Sequence, residues 1–272
     1  MSEFEFQRFV TIGQFLPASS VLHRLDARTR ILGGLLLVVA ISAAPNVAGL
    51  AVAVVALTLL CLAARIPLRY AIKGILVPLP FILVLVVIQV IFGPGGDIRP
   101  WVVAGPVRIS PTSAINGLKL LLRFPALILA LTLLSATTSA TDAVHGLEAL
   151  LRPLARLGLP VQDLVLMLQV TMRFLPLLAL EAERIAKSQA SRGGEWGTGP
   201  RGVLRRVRQT LPLLVPLFLV GLRRAESLAV AIEARGYRGQ TPRTSMANLR
   251  YEAHDALALV LAIALALAMV LI

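Results

Sequence analysis

The residues of this sequence that could do chemistry are two short motifs, each made of a small residue, an arginine and a glycine. Ser191, Arg192 and Gly193 form the first motif, and Ala234, Arg235 and Gly236 form the second. A guanidinium donates up to five hydrogen bonds to carbonyl or carboxylate oxygens. Small neighbours leave it as the only projecting group, and a following glycine ends a helix in a left-handed turn. The motifs therefore predict two arginine tips that enter grooves on a partner with two similar sites.

The elements that must position these tips are two long helices, one ahead of each motif. Apolar residues at helical spacing predict helices over about 161–192, kinked near Pro176, and about 202–235, kinked near Pro212 and Pro216. The alternative interpretation is that both arginines are ordinary basic residues of a cytoplasmic surface. Residues 136–251 hold 16 of the 27 lysines and arginines, so this alternative stays open at this point.

Composition places the chain among integral membrane proteins. Of its 272 residues, 57% are hydrophobic and only 15% are charged, which is too apolar for a soluble domain of this length. The net charge of +13 fits arginines collected in cytoplasmic loops facing anionic lipid, and no basic motif interleaved with aromatics suggests nucleic acid. The fold class predicted is an all-α integral membrane protein.

About five membrane-spanning helices are expected, because five apolar runs approach the length that a bilayer requires. They cover residues 31–44, 47–64, 74–92, 114–135 and 255–272. The Gly- and Pro-rich stretch 93–111 has room for a short external hairpin. The domains expected are a cytoplasmic N-terminal segment (1–29), a four-span membrane domain (30–135), a cytoplasmic helical domain (136–251) and a last transmembrane helix (252–272).

Two further apolar runs, 164–180 and 211–221, are expected not to cross the bilayer. The first contains Arg173 and the second is only 11 residues long, and both have basic flanks. In the fourth span, Arg123 has two open interpretations, a buried contact to a partner or a solute path, or a side chain that reaches the outer headgroups. Arg173 fits a position at the inner interface. Thr141 is expected to cap the helix that precedes the first of these runs, and Gly158 to end it.

Signatures of catalysis are not found in the sequence. No phosphate-binding loop is present, the three histidines are scattered, and the single cysteine, Cys61, has no partner for a metal site or a disulfide. Glu181, Glu183 and Glu233 are interpreted as solvated helix charges. We therefore expect no catalytic residues, no bound metal and no cofactor.

Three stretches of the chain resemble the transmembrane T-component of energy-coupling factor (ECF) transporters. They are "TIGQFLPASSVLHRLDARTRIL" (11–32), "MRFLPLLALEAERIAKSQASRG" (172–193) and "AIEARGY" (231–237). Departures are small, since Ser191 replaces a common alanine and Ala27 a usual proline. The N-terminal stretch is more similar to the shared type, which serves several substrate-binding subunits, than to the dedicated types.

The resemblance implies a non-catalytic coupling subunit of an ABC-type importer in a bacterial or archaeal cell membrane, with a cytoplasmic N-terminus. Its partners would be two ABC-type ATPases, which hydrolyse ATP, and a substrate-binding S-component that takes up a vitamin or micronutrient. The two arginine motifs would dock into the ATPases, and residues 136–251 would be the coupling-helix domain. The alternatives are a self-contained secondary transporter and a membrane-embedded enzyme.

Overall fold

The computed structural model describes residues 20–93, 102–104, 107–158, 160–192, 203–237 and 251–272. In chain order the elements are α1 (Val21–Arg24), α2 (Ala27–Ala43), α3 (Val47–Ala63), α4 (Leu68–Leu76), α5 (Leu79–Phe92), β1 (Val102–Ala104), β2 (Val107–Ile109), α6 (Pro111–Thr137), α7 (Ala140–Leu151), a 3-10 helix (Arg152–Leu157), α8 (Val161–Ser191), α9 (Val203–Ala234) and α10 (Ala253–Leu271). The described residues fall into two compact units. We call 20–149 with 251–272 the bundle unit, and 150–237 the long-helix unit.

The helical character predicted from the sequence is confirmed. The two long helices expected before the arginine motifs are α8, with 31 residues, and α9, with 32 residues. Pro176 lies within α8, and Pro212 and Pro216 lie within α9, while the kinks expected there stay predictions. The short hairpin expected within 93–111 is also present, because β1 and β2 pair antiparallel with Val102 opposite Ile109, while its external location stays a prediction.

Three of the described helices are long and apolar enough to cross a membrane, namely α6, α8 and α10. A fourth span results if Arg69–Leu76 and α5, which meet at a 49° bend, are taken together, and α3 is a shorter apolar helix. The five spans predicted differ from this set, because α2 and α3 have 17 residues each. By length and composition α8 qualifies as a span, contrary to the expectation for residues 164–180.

Helix α6 lies at the centre of the bundle unit, in contact with α2, α3, α4 and α5. Its buried face consists largely of small and aliphatic residues, including Ala126, Leu129, Ala130 and Leu133. Small residues allow helix backbones to approach closely where lipid provides no hydrophobic driving force between helices. The outer faces of the same helices expose large apolar side chains, as lipid-facing helices do.

Helices α2 and α10 run parallel and are joined by hydrogen bonds at both ends. At one end the Asp26 amide donates to Oδ1 of the buried Asp255 (2.7 Å), whose Oδ2 accepts from the Glu252 amide (3.0 Å). At the other end Asn46 Nδ2 donates to the carbonyl of Ile272 (2.8 Å). The carboxylate of Asp255 therefore serves both helix N-termini, where negative charge is favoured by the helix dipoles.

The structure gives Arg123 a packing role that neither interpretation from the sequence specified. Its Nη2 donates to the carbonyl of Ala44 (2.7 Å), the residue that ends α2. Ala44 is fully buried, so its carbonyl has no water to accept from. A cation at a helix C-terminus is favoured by the helix dipole and satisfies a carbonyl without an intrahelical partner. Arg123 therefore caps α2 from within α6.

The cap expected at the start of α7 is wrong by two residues. Ser139, not Thr141, accepts from the Asp142 amide (3.1 Å). Thr138 is extended, and Ser139 directly precedes the first helical residue, which is the position of an N-cap. The expected stop at Gly158 is confirmed, because this residue adopts φ 85° after the 3-10 helix.

Replacing Gly49 with alanine is predicted to destabilise the bundle unit. A Cβ at Gly49 would overlap the carbonyl oxygen of Met269 on α10, and a backbone atom cannot rotate away. We expect a loss of about 1–3 kcal/mol, the usual cost of overpacking. Thermal unfolding in detergent measures it, with Gly74→Ala as the control, because its new Cβ would lie at an ordinary 3.6 Å from Ile128. Equal melting temperatures for the two variants would contradict the close approach of α3 and α10.

Candidate functional site

The tip of α9 is a complete Schellman motif built around the second arginine. Gly236 has φ 78°, the Tyr237 amide donates to the Ile232 carbonyl (3.2 Å), and the Gly236 amide donates to the Glu233 carbonyl (2.9 Å). The last carbonyls of α9 are thereby satisfied within the chain. Ala234 and Arg235 are both exposed, so the guanidinium projects from a rigid, closed helix end.

The tip of α8 has the same order of residues, although Gly193 lies outside the described part of the chain. Arg192 follows the last helical residue and is exposed, and its amide donates to the Gln189 carbonyl (3.1 Å). The Ser191 hydroxyl donates to the Ser188 carbonyl (2.9 Å), so the small residue of this motif uses its polar atom inside its own helix. The arginine is again the projecting group.

The two long helices pack antiparallel within the long-helix unit. Tyr237, just beyond the end of α9, donates its hydroxyl to Oδ1 of Asp163 in the first turn of α8 (2.7 Å). The tip carrying Arg235 therefore lies beside the start of α8, while Arg192 lies at its end. Twenty-nine residues separate positions 163 and 192, which corresponds to about 40 Å of helix. The structure thus places the two tips far apart, at opposite ends of one helix pair.

An ion pair between the two helices lies farther along α8. Glu181 accepts from Arg224 of α9 and, at 3.4 Å, from Arg184 on its own helix. The side chains of Glu181 and Glu183 are 19% and 17% exposed, so both are less solvated than the interpretation as solvated helix charges expected, and Glu181 differs in that its partner Arg224 lies on the other helix. No spacing rule in the sequence links 181 to 224, and only the packing of the helices brings them together. Glu183 does form the short-range pair expected of a helix surface, with Lys187 at 2.6 Å.

An apolar groove of about 550 Å³ runs between α8 and α9. On the α9 side its lining includes Gly221, Ala225 and Ala229, which recur every four residues and form a stripe of small side chains, and also Arg224, Leu228 and Ile232. On the α8 side it is lined by Val170, Thr171, Phe174, Leu175 and Leu178. Such a stripe allows another helix to approach closely. Arg173 is exposed on α8, and its interfacial role stays a prediction.

Groups that could hold a metal ion are not found among the described residues, in which no three His, Cys, Asp or Glu side chains come together. The buried Cys61 is a free thiol in the bundle unit. The chemistry that the long-helix unit offers is recognition, through the arginines at its two exposed helix tips and through the apolar groove between its helices.

Comparisons with known proteins cover nearly the whole chain. Residues 18–246 match the CbiQ family, described as "Cobalt transport protein". The chain is 37% identical over 253 residues to the "Energy-coupling factor transporter transmembrane protein EcfT" of Thermosediminibacter oceani, which covers 93% of this chain and 94% of the relative. Proteins of the same name from Bacillus subtilis and Listeria innocua are each 36% identical, with 92% of both chains covered. The similarity therefore includes both compact units.

Replacing Glu181 with glutamine is predicted to loosen the contact between α8 and α9. Because Arg224 and Glu181 are both partly exposed, the pair is expected to contribute about 1 kcal/mol or less. Amide hydrogen exchange across residues 203–234 should nevertheless rise, since this pair joins the two helices. Glu183→Gln is the control, because its partner Lys187 belongs to the same helix. Equal exchange in the two variants would show that the ion pair does not hold the helices together.

Proposed function

This chain belongs to the CbiQ cobalt transport protein family, among the transmembrane proteins of energy-coupling factor transporters, and we propose that it couples two partner ATPases to a substrate-binding membrane subunit. The ATPases would hydrolyse ATP in the cytoplasm, and the S-component would bind the vitamin or micronutrient. This chain would be the non-catalytic link between them.

The observation that carries the proposal is the position of the two exposed arginine tips at opposite ends of one helix pair. A single binding groove could not receive both tips across about 40 Å of helix. Two similar grooves on two similar subunits could each receive one tip, and a pair of related ATPases would provide two such grooves. Ser191, Arg192 and Gly193 would contact one ATPase, and Ala234, Arg235 and Gly236 the other.

Coupling requires that movement at one tip is transmitted along the helices. The pair has features suited to this task, because Asp163 and Tyr237 join it near one tip and Glu181 and Arg224 join it farther along α8. When ATP binding draws the two ATPases together, each docked tip would move with its ATPase. The angle at which the two helices cross would then change, and the groove between them would change with it.

We propose that the groove between α8 and α9 receives a helix of the S-component. Its stripe of small residues suits close helix packing, and its walls are apolar enough for an occupant that lies in the bilayer. Helix α8 is long and apolar enough to span a membrane. This supports a position of the groove at least partly within the membrane. The resemblance of the N-terminal stretch to the shared type supports several S-components as alternative occupants.

The N-terminus is proposed to lie in the cytoplasm of a bacterial or archaeal cell. Arg24, Arg28 and Arg30 precede or begin α2, and basic residues near the end of a first span favour the cytoplasmic side. The coupling-helix domain, 136–251, would face the same compartment, where the ATPases are.

Loss of both arginines is predicted to abolish ATPase binding. We would co-express the chain with its ATPase pair, purify the complex in detergent, and measure bound ATPase for Arg192→Ala, Arg235→Ala and the double variant. Each single variant should retain less ATPase and the double variant almost none. Arg235→Lys should bind weakly too, because lysine keeps the charge but lacks the planar fork of donors.

The control for this experiment is Arg184→Ala. Arg184 is an exposed basic residue on α8, and its loss leaves Glu181 paired with Arg224. It should hold the ATPases as well as the unaltered chain does. If the control and the double variant bind alike, general positive charge explains the binding, and the two tips are not the docking site.

Filling the groove is predicted to block transport without releasing the ATPases. Ala225→Trp would insert a large side chain into the stripe on α9, so the S-component should be lost from the purified complex while bound ATPase is unchanged. Ala231→Trp on the same helix is the control, because Ala231 is exposed and does not line the groove. Retention of the S-component by Ala225→Trp would place its contact elsewhere.

A further inference from the structure

The end of α3, in the bundle unit, carries an arginine where a helix usually carries a glycine. The Ile66 amide donates to the Cys61 carbonyl (3.0 Å), and the Arg65 amide donates to the Leu62 carbonyl (2.9 Å). These are the two hydrogen bonds of a Schellman motif, whose left-handed position is taken by Arg65 with φ 57°. Among the described residues, Arg65 is the one residue other than glycine with a positive φ, and at the corresponding position after α9 the chain has Gly236.

The left-handed conformation of Arg65 is unfavourable, because it brings Cβ close to the following carbonyl oxygen, and glycine would avoid this contact. The dipole of α3 favours a cation near its C-terminus. An arginine at the exposed Ala63, in the last turn of α3, would have that benefit without the strain. Backbone strain of this kind is found where a particular residue has a function. The side chain of Arg65 is therefore expected to have a use outside α3.

Two more cations follow Arg65 at four-residue spacing, namely Arg69 and Lys73 on one face of α4. All three side chains are exposed, and none has a hydrogen bond or ion pair with a described residue. Helix α4 contacts α3, α5 and α6, which contain no Asp or Glu, and the sequence has no acidic residue from 27 to 96. Neighbouring members of the set have Cα atoms within about 14 Å of each other. The described protein therefore leaves three adjacent cations without a counter-ion.

The outward face of α4 also has an apolar side. The inward face is fixed by the buried Ala71, which belongs to the core of the bundle unit. Ile72 lies one turn from Arg69, and Leu76 lies one turn from Lys73, so both adjoin the cations. They are 51% and 57% exposed. A helix whose exposed surface is basic on one side and apolar on the other is typical of a membrane interface. The 49° bend between Arg69–Leu76 and α5 turns α4 away from the axis of the next apolar helix.

We propose that α4 lies at the membrane surface and binds an anionic phospholipid, whose phosphate accepts hydrogen bonds from Arg65, Arg69 and Lys73. The acyl chains of this lipid pack on Ile72 and Leu76. The occupant must have a negative headgroup, because the three cations have no counter-ion among the described residues. It must also have an apolar body, because the adjoining side of the same helix is apolar and exposed. A soluble anion uses only the cations, and a zwitterionic lipid leaves their charge unbalanced.

The test is photolabelling of the full-length chain in nanodiscs of phosphatidylcholine with a minor fraction of phosphatidylglycerol. The probe is either lipid with a diazirine at the same acyl position, and mass spectrometry measures label on peptides that contain Ile72 and Leu76. The phosphatidylglycerol probe should label about five-fold more than the phosphatidylcholine probe, which is the effect of one basic residue near anionic lipid. The triple variant Arg65→Gln, Arg69→Gln, Lys73→Gln should bring this ratio to about one. Raising the salt from about 0.1 M to about 1 M should also lower it, because charges are then screened within about 3 Å.

Arg65→Gly separates lipid binding from a structural role of the arginine. Glycine adopts the left-handed conformation without strain, so the melting temperature should stay the same or rise. The labelling ratio should fall, because one of the three cations is gone. A lower melting temperature would show that Arg65 is kept for the stability of the end of α3 and would overturn the proposal.

The matched control is the triple variant Arg173→Gln, Arg184→Gln, Arg223→Gln. It removes the same charge from three exposed positions of the long-helix unit and should leave the labelling ratio on α4 unchanged. An equal fall in the control would mean that net charge alone attracts the lipid, and an unchanged ratio in the α4 triple variant would mean that its cations do not bind it. Inorganic phosphate should reduce the ratio no more than sodium chloride of equal ionic strength, and a stronger effect would indicate a site for a soluble anion. Each of these three results would overturn the proposal.

Discussion

The antiparallel contact of α8 and α9 is the interaction on which the functional part of this chain depends. Helix ends are exposed and basic at many places in membrane proteins, and neither arginine motif has a special environment of its own. What distinguishes them is that one pair of packed helices holds both. The contact is largely apolar, with Leu178 lying 3.8 Å from the position of a Cβ at Gly221, and the Glu181–Arg224 pair adds a directional link. A charge pair at partial exposure adds little stability, but it fixes the register in which the two helices meet.

In the bundle unit the main constraint is different, because helices end where little water is present to bind their terminal amides and carbonyls. Each helix leaves amides at one end and carbonyls at the other without intrahelical partners, and in hydrocarbon these groups must be satisfied by the protein. Asp255 accepts from backbone amides at the starts of both α2 and α10, and Arg123 donates to the carbonyl that ends α2. A few charged side chains within a largely apolar domain therefore act as caps. Arg30 acts in the same way, because it donates to the carbonyl of Leu25, just before α2, and to that of Thr137, at the end of α6.

The parts of the structure that could be predicted from the sequence are those governed by local rules. Apolar periodicity with flanking turn residues gave α8 and α9 within a few residues, and glycine after arginine gave the left-handed end at Gly236. The pairing of Glu183 with Lys187 followed from their spacing. The partners of Glu181 and Arg123 could not be predicted, because Arg224 and Ala44 are 43 and 79 residues away and meet them only through helix packing. The number of spans was also not determined, since α8 has the apolar content of a span together with basic flanks.

A helix pair of this kind suits mechanical coupling because the arginine tips and the apolar groove belong to the same two helices. The guanidinium tips are polar, exposed and closed by backbone hydrogen bonds, so the proposed docking would not require the helix ends to unfold. The groove between the same helices is apolar and lined on one side by small residues, so it suits a helix in the bilayer. Both surfaces belong to the same two helices, so a displacement of the tips relative to each other would also change the groove. A ligand of the groove and a ligand of the tips would therefore influence each other's binding by the same free energy, as linkage requires. This reciprocity would allow the ATPases to respond differently to an empty S-component and to a loaded one.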